Sequence, residues 1–143
     1  MGLGLAAIVQ DLASTAQPPA KFNYGFETSK VTFPMTNPRF LPLYEARGGL
    51  DEGRVTSEMT LIRLGEAELI TLPGEVLPEV SFEILEKMQG FPRILVGLAN
   101  DQLGYIIPEY DFRSDSYEET MSQGKATATA IRDTAWKLLG AEK

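Results

Sequence analysis

The polar residues that could do chemistry in this chain follow two apolar runs near its middle. Glu75 comes just after the run at residues 69–72, and Asn100, Asp101 and Tyr105 come just after the run at 94–98. A carboxylate, an amide and a phenol therefore stand near the ends of two predicted strands. If those strands are parallel, both end at the same edge of the sheet, where open α/β folds bind their ligands. The sequence thus predicts one polar, ligand-binding edge.

The residue types that the chain lacks limit this chemistry. The 143 residues include no histidine and no cysteine. Without histidine, the chain itself cannot supply a histidine-based triad, an imidazole base or a histidine metal ligand. Without cysteine, disulfides and thiolate metal sites are also excluded, and the redox compartment stays undecided.

Charge and hydropathy exclude further partners. The net charge is −7, whereas nucleic acids and anionic membrane surfaces attract clustered Lys and Arg. No run approaches the ~20 apolar residues that span a bilayer. A signal peptide over residues 3–16 is disfavoured because no basic segment precedes it and Asp11 interrupts it. We therefore expect no nucleic-acid partner, no transmembrane segment and, by default, a cytoplasmic location.

Residues 69–98 predict a strand, a turn, a helix and a second strand. The first apolar run ends at Pro73-Gly74, a turn signal, and the second is too short for a helix. Between them, Pro78 suits a first helical turn and Gly90 suits a helix stop. The helix is predicted from apolar residues at helical spacing, namely Leu77, Val80, Ile84 and Met88. Such a βαβ crossover is right-handed in roughly 98% of cases. An antiparallel pairing stays open from the sequence, and it would separate the polar residues.

A hairpin is predicted directly before this unit. The alternating residues 55–63 and the strand 67–72 flank Gly65-Glu66, which fits a two-residue turn with Gly first. These strands should pair antiparallel, so the sheet is mixed. At the other end of the chain, residues 125–139 predict a helix that ends at Gly140. Its apolar stripe consists of Ala128, Ile131, Ala135 and Leu138, and Trp136 lies off this stripe, where it would meet a neighbour or a partner chain.

The N-terminal third is less regular. Residues 3–16 predict a helix whose apolar stripe is Leu5, Ile8, Val9 and Leu12. The aromatic alternation at Phe22, Tyr24 and Phe26 continues to residue 33 and predicts one long strand, or two that break near 29–30. We expect this aromatic stripe in the core, and an exposed stripe would instead be a binding surface. Residues 34–53 predict an irregular loop with a helical turn near 41–46.

These elements predict an α/β fold with a mixed sheet, one βαβ unit, an antiparallel hairpin and flanking helices. An α+β arrangement stays open, because the sequence does not give the order of the strands. The length of 143 residues predicts a single domain over residues 1–143.

Several short segments together resemble a known family. They are Pro73-Gly74-Glu75, the strand end at 96–100, Gly104-Tyr105-Ile106, the Asn-Pro-Arg-Phe segment at 37–40 and residues 117–122. In order and spacing they are similar to the C-terminal half of the catalytic region of neutral/alkaline, non-lysosomal ceramidases. The likeness is closer to bacterial and archaeal ceramidase-like proteins of unassigned substrate, and it covers nearly the whole chain.

The resemblance implies a zinc amidohydrolase that cleaves the N-acyl bond of ceramide, a sphingolipid. In that family zinc is held by two His, one Glu and one Tyr, and by position Glu75 and Tyr105 match the Glu and the Tyr. The two His come from the earlier half of the family's domain, so no complete catalytic set is expected in this chain. Asn100 and Asp101 would then orient the ligands or the loop, and Tyr117 and Glu118 would line the substrate cleft. Zinc is expected only if a partner chain completes the site.

Three interpretations follow. In the first, the chain is a fragment or subunit of a ceramidase-like hydrolase, inactive alone, which an N-terminal half on another chain completes. That interpretation predicts an exposed apolar docking face. In the second, the chain is a non-catalytic module that forms a homo-oligomer through the same face. In the third, it is a binding module that uses the aromatic strand or the loop around Arg39 and Phe40.

Overall fold

The computed structural model describes residues 2–17, 22–113 and 116–141. Its strands are β1 (Tyr24–Pro34), β2 (Arg54–Leu64), β3 (Ala67–Thr71), β4 (Glu75–Val76), β5 (Arg93–Val96) and β6 (Tyr105–Ile106). Its α-helices are α1 (Gly2–Thr15), α2 (Leu41–Ala46), α3 (Pro78–Lys87), α4 (Tyr117–Thr120) and α5 (Thr127–Leu139). A 3-10 turn covers Glu109–Asp111.

The larger sheet has the strand order β1-β2-β3-β5. The first two pairings are antiparallel, and β3 pairs with β5 in parallel. The hairpin and the βαβ unit are therefore confirmed, and so is the mixed α/β sheet. A second sheet consists of the short parallel strands β4 and β6.

Side chains on one face of the larger sheet, here called the inner face, form the core with α3 and α5. Phe33, Met59 and Ile70 from three strands are each at most 1% exposed. Helix α5 lies across β1 and β2 and packs against α3. The predicted stripe of α5 is buried throughout, and Gly140 ends that helix in the left-handed conformation. A helix with period 3.6 and a strand with period 2 each present one apolar side, and these sides meet here.

The opposite face, here called the outer face, overturns one expectation. Phe22, Tyr24 and Phe26 are 59%, 77% and 72% exposed, so the aromatic stripe is not core. Val31 and Phe33, at odd positions further along the single strand β1, are buried instead. Successive strand residues point to opposite faces, and Tyr24 and Phe26 point away from α3 and α5. Alternation indicated a strand, but only tertiary packing decides which face is covered.

One smaller expectation also needs correction. Helix α3 ends at Lys87, and Met88 is already extended with φ −72° and ψ 133°. This extension lets Met88 reach the core, so Gly90 is not the residue that stops the helix. Trp136 packs within the chain, where its indole N–H donates to the backbone oxygen of Glu83 at 3.2 Å. No helix in the described part of the chain is long and apolar enough to cross a membrane.

Candidate functional site

The short β4–β6 ladder places Glu75 directly opposite Tyr105. The Glu75 N–H donates to the oxygen of Gly104 at 2.9 Å, and the Leu77 N–H donates to the oxygen of Ile106 at 3.1 Å. Glu75 thus lies on a strand, and the helix begins three residues later at Pro78. A helix dipole does not account for the position of Glu75, because the dipole acts within the first turn of a helix.

Two glycines let these segments approach. A Cβ at Gly74 would lie 2.6 Å from the oxygen of Gly104 and 2.7 Å from a methyl carbon of Ile106. Gly104 has a positive φ of 78°, and a Cβ there would collide with the backbone oxygen of Met121. The Tyr105 N–H donates to that same oxygen at 3.1 Å. The pairing of Glu75 with Tyr105 therefore depends on close backbone contact that only glycine permits.

Both side chains line a cleft of about 390 Å³. The other residues around this cleft are Val76, Leu77, Pro78, Ile107, Asp111, Ser116, Glu118 and Glu119. Tyr117 stands beside it, with its ring 6.1 Å from that of Tyr105 in an edge-to-face arrangement. The lining of the cleft thus combines acidic and apolar side chains with the phenol of Tyr105.

Glu119 is the part of this cleft that the sequence reasoning missed. It is 9% exposed and accepts a hydrogen bond from the Arg113 N–H at 2.8 Å and another from the Ser116 hydroxyl. These bonds join Glu119 to Arg113 and to Ser116. The available signal was Ser-x-x-Glu at 116–119, the pattern of a capping box at a helix start.

The electrostatics of the pair are dominated by the carboxylate. The negative charge of Glu75 raises the pKa of the Tyr105 phenol above its ordinary value, with smaller contributions from partial burial, Tyr117 and Glu118. At neutral pH the phenol therefore keeps its proton. In this chain Tyr105 is a neutral group beside an acidic one.

Asn100 and Asp101 lie against β2. The Asn100 amide donates to the backbone oxygen of Glu58 at 3.3 Å, and Asp101 accepts from the Ser57 hydroxyl at 3.1 Å. Burial, and next the negative charge of Asp101, raises the pKa of the Tyr44 phenol. Neither Asn100 nor Asp101 lines the cleft. The structure thus brings Glu75, Tyr105 and Glu118 together, with Tyr117 next to them, and places the loop residues elsewhere.

Glu75 and Tyr105 would be at most two of the ligands that a zinc site needs. Structural and catalytic zinc sites generally use four ligands in all, drawn from Cys, His, Asp or Glu and water. Glu75 and Tyr105 offer two oxygen donors in an open cleft, and the sequence has no His or Cys. Over residues 2–17, 22–113 and 116–141, no group of three or more metal-ligating side chains could hold an ion. These residues alone do not complete a zinc site.

The fold is similar to parts of two solved ceramidase structures. The neutral ceramidase from Pseudomonas aeruginosa superposes with a TM-score of 0.60 at 16% identity, and the match covers 93% of this chain. The fold is ceramidase-like. A second structure, a ceramidase complexed with C2, superposes with a TM-score of 0.51 at 19% identity over 61% of this chain. No protein-family model matches the sequence, and no curated protein is significantly similar to it.

The ceramidase-like fold seen here is only part of those proteins. This chain spans 30% of the Pseudomonas aeruginosa structure and 14% of the other. At 16–19% identity the likeness is one of fold. The roles of Glu75 and Tyr105 therefore have to be argued from the cleft itself.

Proposed function

We propose that this chain is a C-terminal fragment or subunit of a ceramidase-like zinc amidohydrolase. In this proposal Glu75 and Tyr105 are two of the four zinc ligands, and two histidines come from polypeptide outside these 143 residues. The observation that carries it is the pairing of Glu75 with Tyr105 across β4 and β6 inside a ceramidase-like fold. The family resemblance of the Pro-Gly-Glu and Gly-Tyr-Ile segments selects the same two residues.

The geometry of the cleft supports the proposal in two ways. The Glu75 side chain is exposed, and it lines the same space of about 390 Å³ as the Tyr105 phenol. That space is open, so ligands from a second polypeptide can approach the pair. A bound zinc ion would supply Lewis-acid polarisation of an amide carbonyl. Glu118 and Tyr117 at the rim would contact the substrate.

The protonation of Tyr105 explains why the chain should be inert alone. With its pKa raised, the phenol does not become a phenolate at neutral pH. Glu75 is then the single anionic donor of the pair, and two donors bind zinc weakly. A completed site reverses this, because a metal cation offsets the charge of Glu75 and favours loss of the phenol proton.

The alternative is a non-catalytic module that self-associates through an open apolar face. The exposed Tyr24 and Phe26 on the outer face favour it. The same exposed face is what the hydrolase interpretation predicts for docking of its other half. Exposure alone therefore does not separate the two.

An assay for hydrolysis of an N-acyl amide distinguishes the hydrolase proposal from the non-catalytic alternative. Release of free fatty acid is measured with zinc present, first for this chain alone and then for its mixture with the polypeptide encoded next to it. We expect no release from the chain alone and release from the mixture. Tyr105→Phe and Glu75→Gln should abolish the release, and Tyr110→Phe, a change outside the cleft, should not. Activity of the chain alone, or a mixture whose activity ignores both cleft variants, would contradict the proposal.

A further inference from the structure

Helix α1 is an amphipathic helix that has no cover in the structure. None of its residues is buried, and Leu5, Ile8, Val9 and Leu12 are all more than half exposed. An isolated helix of 14 residues is marginal in water, and most helices in proteins are stabilised by packing of their apolar face. This stripe therefore needs an apolar surface to pack against.

The outer face of the sheet is such a surface. One row of apolar residues crosses all four strands, because Phe26 lies opposite Ile62, Ile62 opposite Leu69, and Leu69 opposite Ile94. A second row pairs Tyr24 with Leu64. Phe26, Tyr24, Leu64 and Ile94 are each at least 41% exposed. A solvated sheet face is typically polar, so contiguous apolar rows indicate a face that packs against another element.

The apolar rows occupy one end of the outer face. Toward the other end the opposed pairs become polar, with Thr28 opposite Thr60 and Lys30 opposite Glu58. The Asn100 amide donates to the Glu58 backbone oxygen at that polar end. The apolar end is where β1 starts, so it is also the end to which α1 is attached.

We propose that the apolar end of the outer face is the docking surface for α1 of the same chain. The length of α1, the width of the sheet and the length of the segment that joins them are compatible with this docking. A helix of 14 residues is about 21 Å long, and four strands span roughly 14 Å between the outer two. The eight residues 16–23 join Thr15 to Tyr24, and eight residues reach at most roughly 26 Å. A tether this short gives α1 a high effective concentration over its own sheet.

The composition of α1 points to protein and not lipid as the surface it covers. Its single charged residue is Asp11, and it has no Lys or Arg. Helices that lie on membrane surfaces carry a basic polar face. Docking of α1 would not involve the residues that line the cleft, and it would leave the polar end of the outer face free for other polypeptide.

Amide hydrogen exchange on the full chain, run together with sedimentation, tests this docking. We expect the amides of α1 to exchange at least roughly tenfold more slowly than those of an unstructured chain, in a monomer and at every concentration. Ile8→Asp on the stripe and Phe26→Ser on the sheet should each abolish that protection. Gln10→Asp adds the same charge on the opposite side of the helix and should keep it.

The following outcomes would overturn the docking proposal. Unprotected α1 amides in the unchanged chain would show that the helix does not dock. Protection that appears only in a sedimenting dimer would show that a second copy is the occupant. If Phe26→Ser unfolds the sheet, Tyr24→Ser, at a side chain that is 77% exposed, takes its place. Protection that survives Tyr24→Ser, with strand amides still protected, would also overturn it.

Discussion

Tyr105 is the residue whose chemistry depends most on one neighbour. Its phenol stands opposite the Glu75 carboxylate, and that negative charge is the main reason for its raised pKa. A phenol in this setting holds its proton more firmly than a free tyrosine does. In the proposed site, Tyr105 would therefore act as a metal ligand only if a bound cation with further ligands offset the charge of Glu75.

Replacing Glu75 tests this coupling directly. Glu75→Gln removes the charge and keeps the shape, so we expect the pKa of Tyr105 to fall toward its ordinary value. The measurement is an NMR titration of the tyrosine ring carbons. Glu109→Gln is the matched control, because Glu109 pairs with Lys125 outside the cleft. An unchanged pKa of Tyr105 in Glu75→Gln would mean that the carboxylate does not act on the phenol.

At the scale of elements, Glu68 ties three segments together. It accepts hydrogen bonds from the backbone N–H groups of Gln89 at 2.9 Å and Gly90 at 3.0 Å, and it pairs with Arg63 on β2. Burial raises the pKa of its carboxyl, but the bonds from Gly90 and Gln89, with Arg63, outweigh burial and hold the pKa below the ordinary value. One carboxylate thus fixes the hairpin to the end of the α3 crossover.

The stability that Glu68 contributes should depend on pH in one direction. Its folded pKa is depressed, so its contribution is present above the unfolded value of 4.5 and is lost as pH falls through the folded pKa. We expect Glu68→Gln to lower the free energy of unfolding by about 1–3 kcal/mol at neutral pH. That difference should shrink in acid. Denaturant unfolding across pH measures it, with the exposed Glu66→Gln as control, and a difference that is constant with pH would contradict it.

The elements that the sequence predicted are those with a local signal. The hairpin follows from Gly65-Glu66 between two runs, and α5 follows from a stripe at period 3.6 that the structure buries. The helical crossover favoured a parallel pairing of β3 and β5, but the sequence left an antiparallel pairing open, and the structure shows the parallel one. Each of these features depends on residues that lie close together in the sequence.

The features that the sequence did not predict depend on contacts far along the chain. Strand β1 carries apolar residues on both faces, so the exposure of Tyr24 and Phe26 was decided by where α5 packs. The two-residue strands β4 and β6 are too short to have a period. Asn100 adopts a left-handed conformation with φ 72°, and its amide bonds to β2, which lies 42 residues earlier at Glu58.

At the scale of the whole molecule, the described elements leave two surfaces incomplete. The inner face of the sheet is packed against α3 and α5, but the outer face is apolar and exposed. In the proposed zinc site, the cleft would supply two oxygen donors, Glu75 and Tyr105, and would need further ligands. The chain also spans only 30% of the Pseudomonas aeruginosa neutral ceramidase that it resembles in fold. We propose different occupants for the two surfaces: α1 of the same chain for the apolar end of the outer face, and ligands from further polypeptide for the cleft.

Zinc binding measured by calorimetry tests the central claim most directly. The chain is titrated alone and then mixed with the polypeptide encoded next to it. We predict weak binding alone and tight binding in the mixture, with Glu75→Gln and Tyr105→Phe each weakening it at least roughly tenfold. Glu109→Gln and Tyr110→Phe, outside the cleft, should bind as the unchanged chain does. A mixture that binds no zinc, or that binds it equally well in both cleft variants, would contradict the assignment of Glu75 and Tyr105 as ligands.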